Sequence, residues 1–305
     1  MMRSLYSGIS GLRNHQTRMD VIGNNIANVN TTGYKTSRVI FQDIFSQTSR
    51  GGMANTGISG GTNPVQIGLG IKLSSIDVLH TPAPFARTDN AFDMMVDGDG
   101  FFIVDSPNGY FYTRAGNFKT DDEGWLTTSD GYYVMGYTGA LTYVEGVPGN
   151  PDDGTVAIPP SVTVDDIDYD SLSRIRLRVP ADDPAEEDIE LQGFAVGDDG
   201  SVSVIIDNEK VTIAKIAVAM FSNPGGLEKA GNSMYRATAP SGAAQPGPAL
   251  INGAGKIIGG GLEMSNVDLA TEFTDMIVTQ RGFQANSRII TVSDTLLEEL
   301  VNLKR

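Results

Sequence analysis

The chain has 305 residues, 40% of them hydrophobic and 19% charged, enough to bury a sizeable core in two or three domains. Its formal net charge of −15 argues against nucleic acid and anionic lipid as partners, because both require a clustered basic face. There is no cysteine, which excludes disulfides, thiolate metal sites and cysteine nucleophiles.

No apolar run approaches the roughly 18 residues of a membrane-spanning helix. The opening stretch MMRSLYSGISGLRNHQTRMD lacks the continuous apolar core of a secretory leader, so work outside the cell requires export without leader cleavage. From Arg3 to Val29 the pattern predicts a helix of about 27 residues, roughly 40 Å long. Leu5, Leu12, Met19 and Ile26 recur at steps of seven, with Ile9, Ile22 and Val29 close by. A seven-step apolar repeat marks a seam that packs against another helix. Gln16 and Gly23 interrupt its surroundings, so this helix is expected to order only when neighbours cover it. Asn28, Asn30, Thr31, Thr32 and Gly33 end it, and Gly33 suits a positive φ.

Residues 34–75 show no sustained period. Lys35–Phe45 fits either a short turn of helix or an extended run. The following SQTSRGGMANTGISGGTNPVQIGLG reads as linker or extended arm. From Ile76 to Tyr143 the texture becomes β, with runs such as Phe101–Val104 and Tyr132–Met135 punctuated by Asp97-Gly98, Asn108-Gly109, Glu123-Gly124 and Asp130-Gly131. Val202–Phe221 is a second β stretch, turning at Asp207-Asn208. Between them, 144–190 is acidic and rich in proline. Val162, Val164, Ile175, Leu177 and Val179 alternate with polar residues there, predicting a small insert with strands of its own.

Residues 239–262 are rich in Gly, Ala and Pro and lead to a last helix, capped by Ser265 or Asn266, with Asp268 and Glu272 in its first turn. Leu269, Met276, Phe283, Ile290 and Leu297 repeat at steps of seven, and Phe273 and Val301 join that face. Ile289, Val292, Leu296, Leu300 and Leu303 form a second stripe beside it. Two apolar faces on one helix require neighbours on both sides. The fold expected is α+β and multidomain: long N- and C-terminal helices form a coiled-coil-like layer, with mainly β central domains between them. The boundaries read as 1–30 plus 264–305 (helical assembly domain), 31–75 (linker or arm), 76–143 plus 191–263 (β domain) and 144–190 (acidic insert).

No constellation supports catalysis. Gly57-Ile58-Ser59-Gly60-Gly61 matches G-x-S-x-G, but that motif needs a strand before it and a helix after it, and this copy sits in a linker. Asp97 and Asp99 lack the spaced ligands of a calcium loop. His15 reads as a packing or polar-contact residue rather than a pH switch. A secreted β-rich adhesin with incidental terminal helices is the competing class.

Four segments carry a resemblance. SLYSGISGLRNHQTRMDVIGNNIANVNTTGYK (4–35) and SNVDLATEFTDMIVTQRGFQANSRIITVSDTLLEELVNLKR (265–305) resemble the terminal signatures of the bacterial flagellar rod and hook family. DGDGFFIVDSPNGYFYTRAGNFKTDDEGWLTTSDGYYVMGY (97–137) and FSNPGGLEKAGNSMYRATAPSG (221–242) are similar to its β domain. Within the signatures, Asn25, Asn28, Thr32, Gly33, Tyr34, Asn266, Gln280, Arg281 and Asn286 match motif positions.

Gln280–Arg288, the ending Glu298–Arg305 and Gly60–Gly70 look like the hook version, although the small insert is close to the size found in a long rod protein. The resemblance therefore implies a structural subunit of the flagellar hook, with the distal rod protein as the near alternative. Such a subunit builds a curved helical tube that acts as a universal joint, transmitting torque from rod to filament. Implied partners are further copies of itself, the distal rod, hook cap and hook–filament junction proteins, and the flagellar type III export apparatus. Nucleic acid, membrane insertion, cofactors and metals are not implied. The implied location is the extracellular hook or basal body. Leu5, Ile9, Leu12, Met19, Ile22, Ile26, Leu269, Phe273, Met276, Phe283, Ile290, Leu296, Leu297 and Leu300 are the expected assembly contacts.

Overall fold

The computed structural model describes residues 2–54, 60–139, 141–144, 161–164, 171–177, 193–206 and 209–303. It divides into two compact units, one formed by Met1–Val29, Lys35–Leu79 and Val267–Arg305, the other by Asn30–Tyr34 and His80–Asn266. The chain is α+β, with a helix near each end and mainly β structure between.

In the first unit, α1 spans Met2–Ala27 and α2 spans Leu269–Asn302. The cap of α2 is neither Ser265 nor Asn266. Asp268 takes the role: its Oδ1 accepts from the Ala270 N–H at 3.0 Å and its Oδ2 from the Thr271 hydroxyl at 2.6 Å. These bonds hold the Asp268 carboxyl below its ordinary pKa, and a carboxylate there also favours the positive end of the helix.

The stretch read as a linker contains strands. β1 (Ser37–Asp43) and β2 (Ser46–Arg50) run antiparallel to β4 (Ile71–Val78) and β3 (Val65–Gly68). Bonds from Ile44 N–H to Gly70 O and from Leu69 N–H to Phe45 O join the two pairs, and a bridge couples Met53 with Thr62. The product is one long two-stranded ribbon. Its composition hides it, because a ribbon buries too little for a strict alternation to be needed. Gly57, Ile58 and Ser59 of the G-x-S-x-G match lie outside the described residues.

The second unit is organised around the long strand Glu209–Met220, which pairs antiparallel with Ser201–Ile206, Tyr133–Thr138 and Gln245–Pro248 and also meets Phe101-Phe102. Phe101–Ser106 turns directly back into Gly109–Thr113. Because strand side chains alternate between faces, Phe102 enters one buried cluster while Phe101 and Ile103 enter another, and Val104 is fully buried as well. Both faces of this strand are covered, which accounts for its unbroken apolar run. Ile175 and Leu177, expected in the insert, join the main cluster with Val134 and Ile216. Val179 and the acids of 152–170 and 182–190 lie outside the described residues.

Entry and exit of this unit are tied together. Gly33 N–H donates to Glu263 O at 2.8 Å and Asn266 N–H to Tyr34 O at 3.5 Å. Gly33 is at φ 67, and a β-carbon there would lie 2.6 Å from Ala115 N, so only glycine fits this left-handed position without strain. Beneath the join lies a buried ion pair. Arg114 Nη1 sits 3.5 Å from Glu263 Oε2, donates to Val96 O, and stands beside Nη2 donating to Gly98 O. Glu263 Oε1 accepts from the Ala83 N–H at 3.2 Å. Removing one partner of such a pair leaves a buried charge uncompensated. Arg114→Met is therefore expected to destabilise this unit by about 3–5 kcal/mol. Urea unfolding followed by the fluorescence of the single tryptophan, Trp125, measures this; a loss below about 1 kcal/mol refutes the role.

Candidate assembly interface

Within the first unit, α1 and α2 pack antiparallel. The contacts descend in order: Gly8 against Ile290, Gly11 against Asn286, Gly282 against His15, Arg18 with Asp275, and Asn25 with Glu272. Small and polar residues make this seam. A β-carbon on Gly11 would lie 2.5 Å from Asn286 Nδ2, and one on Gly282 would lie 2.8 Å from His15 Cε1, so glycine lets the helices approach closely. Arg18 Nη2 donates to Asp275 Oδ2 at 2.8 Å.

The Asn25 side chain bonds to two other segments of this unit. Its Nδ2 donates to Ser37 O and to Glu272 Oε1, both at 2.9 Å, while its Oδ1 accepts from the Ser37 N–H at 3.0 Å. Thr36 also donates to Glu272 Oε1. One amide thus ties α1, the start of the ribbon and α2. On α2 the fully described buried residues are Thr279 and Ser293, both polar.

Of the apolar residues expected as assembly contacts, Ile290 meets Gly8 in this seam and many of the others stay open. On α1, Ile22 is buried, Leu5, Leu12, Met19 and Ile26 are half-buried, and Ile9 is exposed. On α2, Met276, Ile290 and Leu297 are half-buried, while Leu269, Phe273, Phe283, Leu296 and Leu300 are exposed. The second stripe is barely covered: Ile289, Val292, Leu296, Leu300 and Leu303 are between 44% and 82% exposed. The ribbon adds exposed Ile44, Phe45, Val65, Ile67 and Ile76. This much open apolar surface marks an interaction site.

The motif residues serve different ends. Asn25 and Asn286 lie in the seam. Asn28 Nδ2 donates to Asn24 O at 2.8 Å and closes the end of α1. Gly33, Tyr34 and Asn266 build the join of the β unit, with Tyr34 beneath Lys229 Nζ at 4.8 Å and Asn266 Nδ2 donating to Thr81 Oγ1. Thr32 lines a polar cleft of about 250 Å³ with Asn117, Ser129 and Asn232. Gln280 and Arg281 are exposed, and Arg281 reaches Gln284. The polar seam itself was missed by reading apolar periods alone. Glu272, Thr279, Asn286 and Ser293 also repeat at steps of seven, and that was the available signal.

Two helices joined through small and polar side chains, with apolar flanks left open, define an assembling structural subunit. Comparison with known proteins agrees. The family described as "Flagella basal body rod protein" matches residues 5–35, "Flagellar hook protein FlgE/F/G D1 domain" matches 95–204, and "Flagellar basal body rod FlgEFG protein C-terminal" matches 258–303. The flagellar basal-body rod protein FlgG of Bacillus subtilis is 46% identical over 311 positions, covering all of both chains. The flagellar hook protein FlgE of Borreliella burgdorferi is 34% identical over 442 positions, and FlgG of that organism 33% over 309, each again covering all of both chains. The chain belongs to the flagellar rod and hook family: it is a structural component of the bacterial flagellum that polymerises with itself, not an enzyme.

His15 is half-buried in the seam, edge-on to Phe41 at 6.2 Å. Burial first, and then the Arg18 charge, lower its pKa. A histidine whose folded pKa lies below its unfolded value contributes stability at pH above about 6.5 that is lost as pH falls through that region. Glu272 has the opposite sign: burial raises its pKa against the bonds from Asn25 and Thr36, so its ionised form costs stability and protonation relieves that cost. His15→Gln is expected to flatten the decline in helix-unit stability between about pH 7.5 and 6, measured by urea unfolding followed by far-ultraviolet dichroism. An unchanged slope would mean that His15 titrates as it does in the unfolded chain.

Proposed function

We propose that this chain is a distal rod subunit of the flagellar basal body. The observation that carries the reading is the pattern of alignment. Rod relatives align over 311 and 309 positions, close to the chain's own 305 residues and at up to 46% identity. Hook relatives align over 442 and 463 positions at 34% and 29% identity, so they carry long segments that this chain lacks. The hook reading keeps the support of Gln280–Arg288 and the C-terminal ending, but size and identity favour the rod.

In this reading α1 and α2 form a coiled-coil-like inner layer of a tube, the β unit lies outside it, and 144–190 is a small outer insert. The open apolar flanks of α1 and α2 and the ribbon contact other copies. Such contacts are heterologous and do not close, which is the condition for a filament. The chain leaves the cell through the flagellar type III apparatus. Its neighbours along the axis are other rod and hook proteins; the hook cap and hook–filament junction proteins become direct partners only under the hook reading.

Deleting the gene distinguishes the two readings. Electron microscopy of basal bodies is expected to show truncated rods without hooks; complete rods lacking hooks would establish the hook reading. The interface is tested separately by Val292→Ser and Leu296→Ser. Both positions are exposed in the subunit, so each substitution should change its stability by no more than about 0.5 kcal/mol while abolishing polymer formation. Normal polymers from both variants would remove the second stripe of α2 from the interface.

A further inference from the structure

The apolar stripes have a property that limits what they can specify. Leu5, Leu12, Met19 and Ile26 on α1, and Leu269, Met276, Phe283, Ile290 and Leu297 on α2, repeat at steps of seven. A slip of seven residues between the helices therefore presents almost the same apolar surface, displaced by about 10 Å. Hydrophobic burial alone is nearly degenerate among these registers. It also fails to distinguish the chain's own α2 from that of another copy.

The residues between the stripes are not degenerate. At equivalent seven-step positions α2 carries Glu272, Thr279, Asn286 and Ser293, four different polar side chains. Each meets a particular environment: Glu272 accepts from Asn25 and Thr36, Asn286 lies over Gly11, and Thr279 and Ser293 are buried. Asp275 pairs with Arg18. Slip α2 by seven in one direction and Arg18 faces Gly282 while Asn25 faces Thr279. Slip it the other way and Asn25 faces Ser265, outside the helix.

We infer that the polar seam, chiefly Arg18–Asp275, Asn25–Glu272 and Asn286 over Gly11, is the specificity determinant of helix pairing. It selects the chain's own α2 in one antiparallel register and leaves the apolar flanks free for other copies. Isolated polar residues in a helix seam set register in this way at some cost in stability. The consequence for assembly is geometric, because a slip of one heptad would move every exposed contact on α2 by about 10 Å relative to α1. The inference rests on the family's self-assembly and on the open flanks as its contacts, not on the choice between rod and hook.

The absence of cysteine gives the full chain a clean background for disulfide trapping. Gly8→Cys with Ile290→Cys reports the observed register, since a β-carbon on Gly8 has only ordinary contacts, the nearest being Ile290 Cγ1 at 3.4 Å. Gly8→Cys with Phe283→Cys, or with Leu297→Cys, reports slips of one heptad. With the native seam, the 8–290 link is expected to form within one chain at about tenfold higher yield than either slipped link. Replacing Arg18, Asp275 and Asn286 together by Leu should keep the helices, yet raise slipped or interchain links to a similar yield. Exclusive 8–290 linkage in that variant, or slipped links with the native seam, would overturn the inference. If the triple variant does not fold, Arg18→Asp should lower the 8–290 yield and adding Asp275→Arg should restore it; failure to restore overturns the inference equally. Leu296→Ser should leave all linkage yields unchanged while blocking polymers, so a wrong interface and a wrong register rule give different results.

Discussion

The close antiparallel contact between α1 and α2 governs what the rest of the helical unit can do. Gly8, Gly11 and Gly282 bring the backbones together, and Asn25 with Glu272 and Arg18 with Asp275 pair across the gap. A seam made this way uses little apolar side chain. Leucines and isoleucines on the flanks are then left half-buried or exposed in the subunit. The polar set joins the helices within the chain; much of the apolar set is left open at its surface.

That division explains which parts of the architecture were legible in the sequence. Helices at both ends follow from seven-step apolar spacing, and the two-sided character of α2 follows from Ile289, Val292 and Leu296 beside Phe283 and Ile290. Which neighbour each stripe residue meets did not follow from the spacing. Apolar periodicity reports that a face will be buried without saying by what. The long ribbon was missed for a related reason. Its strands expose Ile44, Phe45, Val65 and Ile67, so neither alternation nor a core run announces them, and the Gly and Ser near its tip read as linker. Asp268 was assigned to the first turn of α2 rather than to its cap, a displacement of a single turn position among several residues able to cap.

The β unit follows opposite rules. Phe101–Val104 is covered on both faces, and Ile175, Leu177 and Ile216 complete a core that needs no partner. Here the turn signals and aromatic runs were sufficient, because burial is internal and local pattern and global packing agree. What they could not reveal was the ion pair of Arg114 and Glu263, two residues far apart in sequence whose types carry no expectation of burial.

That ion pair sits where the β unit opens and closes. Gly33 and Tyr34 on the way in are hydrogen-bonded to Glu263 and Asn266 on the way out, so the unit hangs on a two-strand join. A domain attached through adjacent ends can change in size without altering the segments that flank it. The relatives behave accordingly: the hook proteins extend their alignments to 442 and 463 positions while still matching the whole of this chain. The extra length of the hook relatives is thus compatible with the whole of this chain being matched. Arg114 and Glu263 are both buried, so losing either partner alone would leave the other charge uncompensated beneath the join.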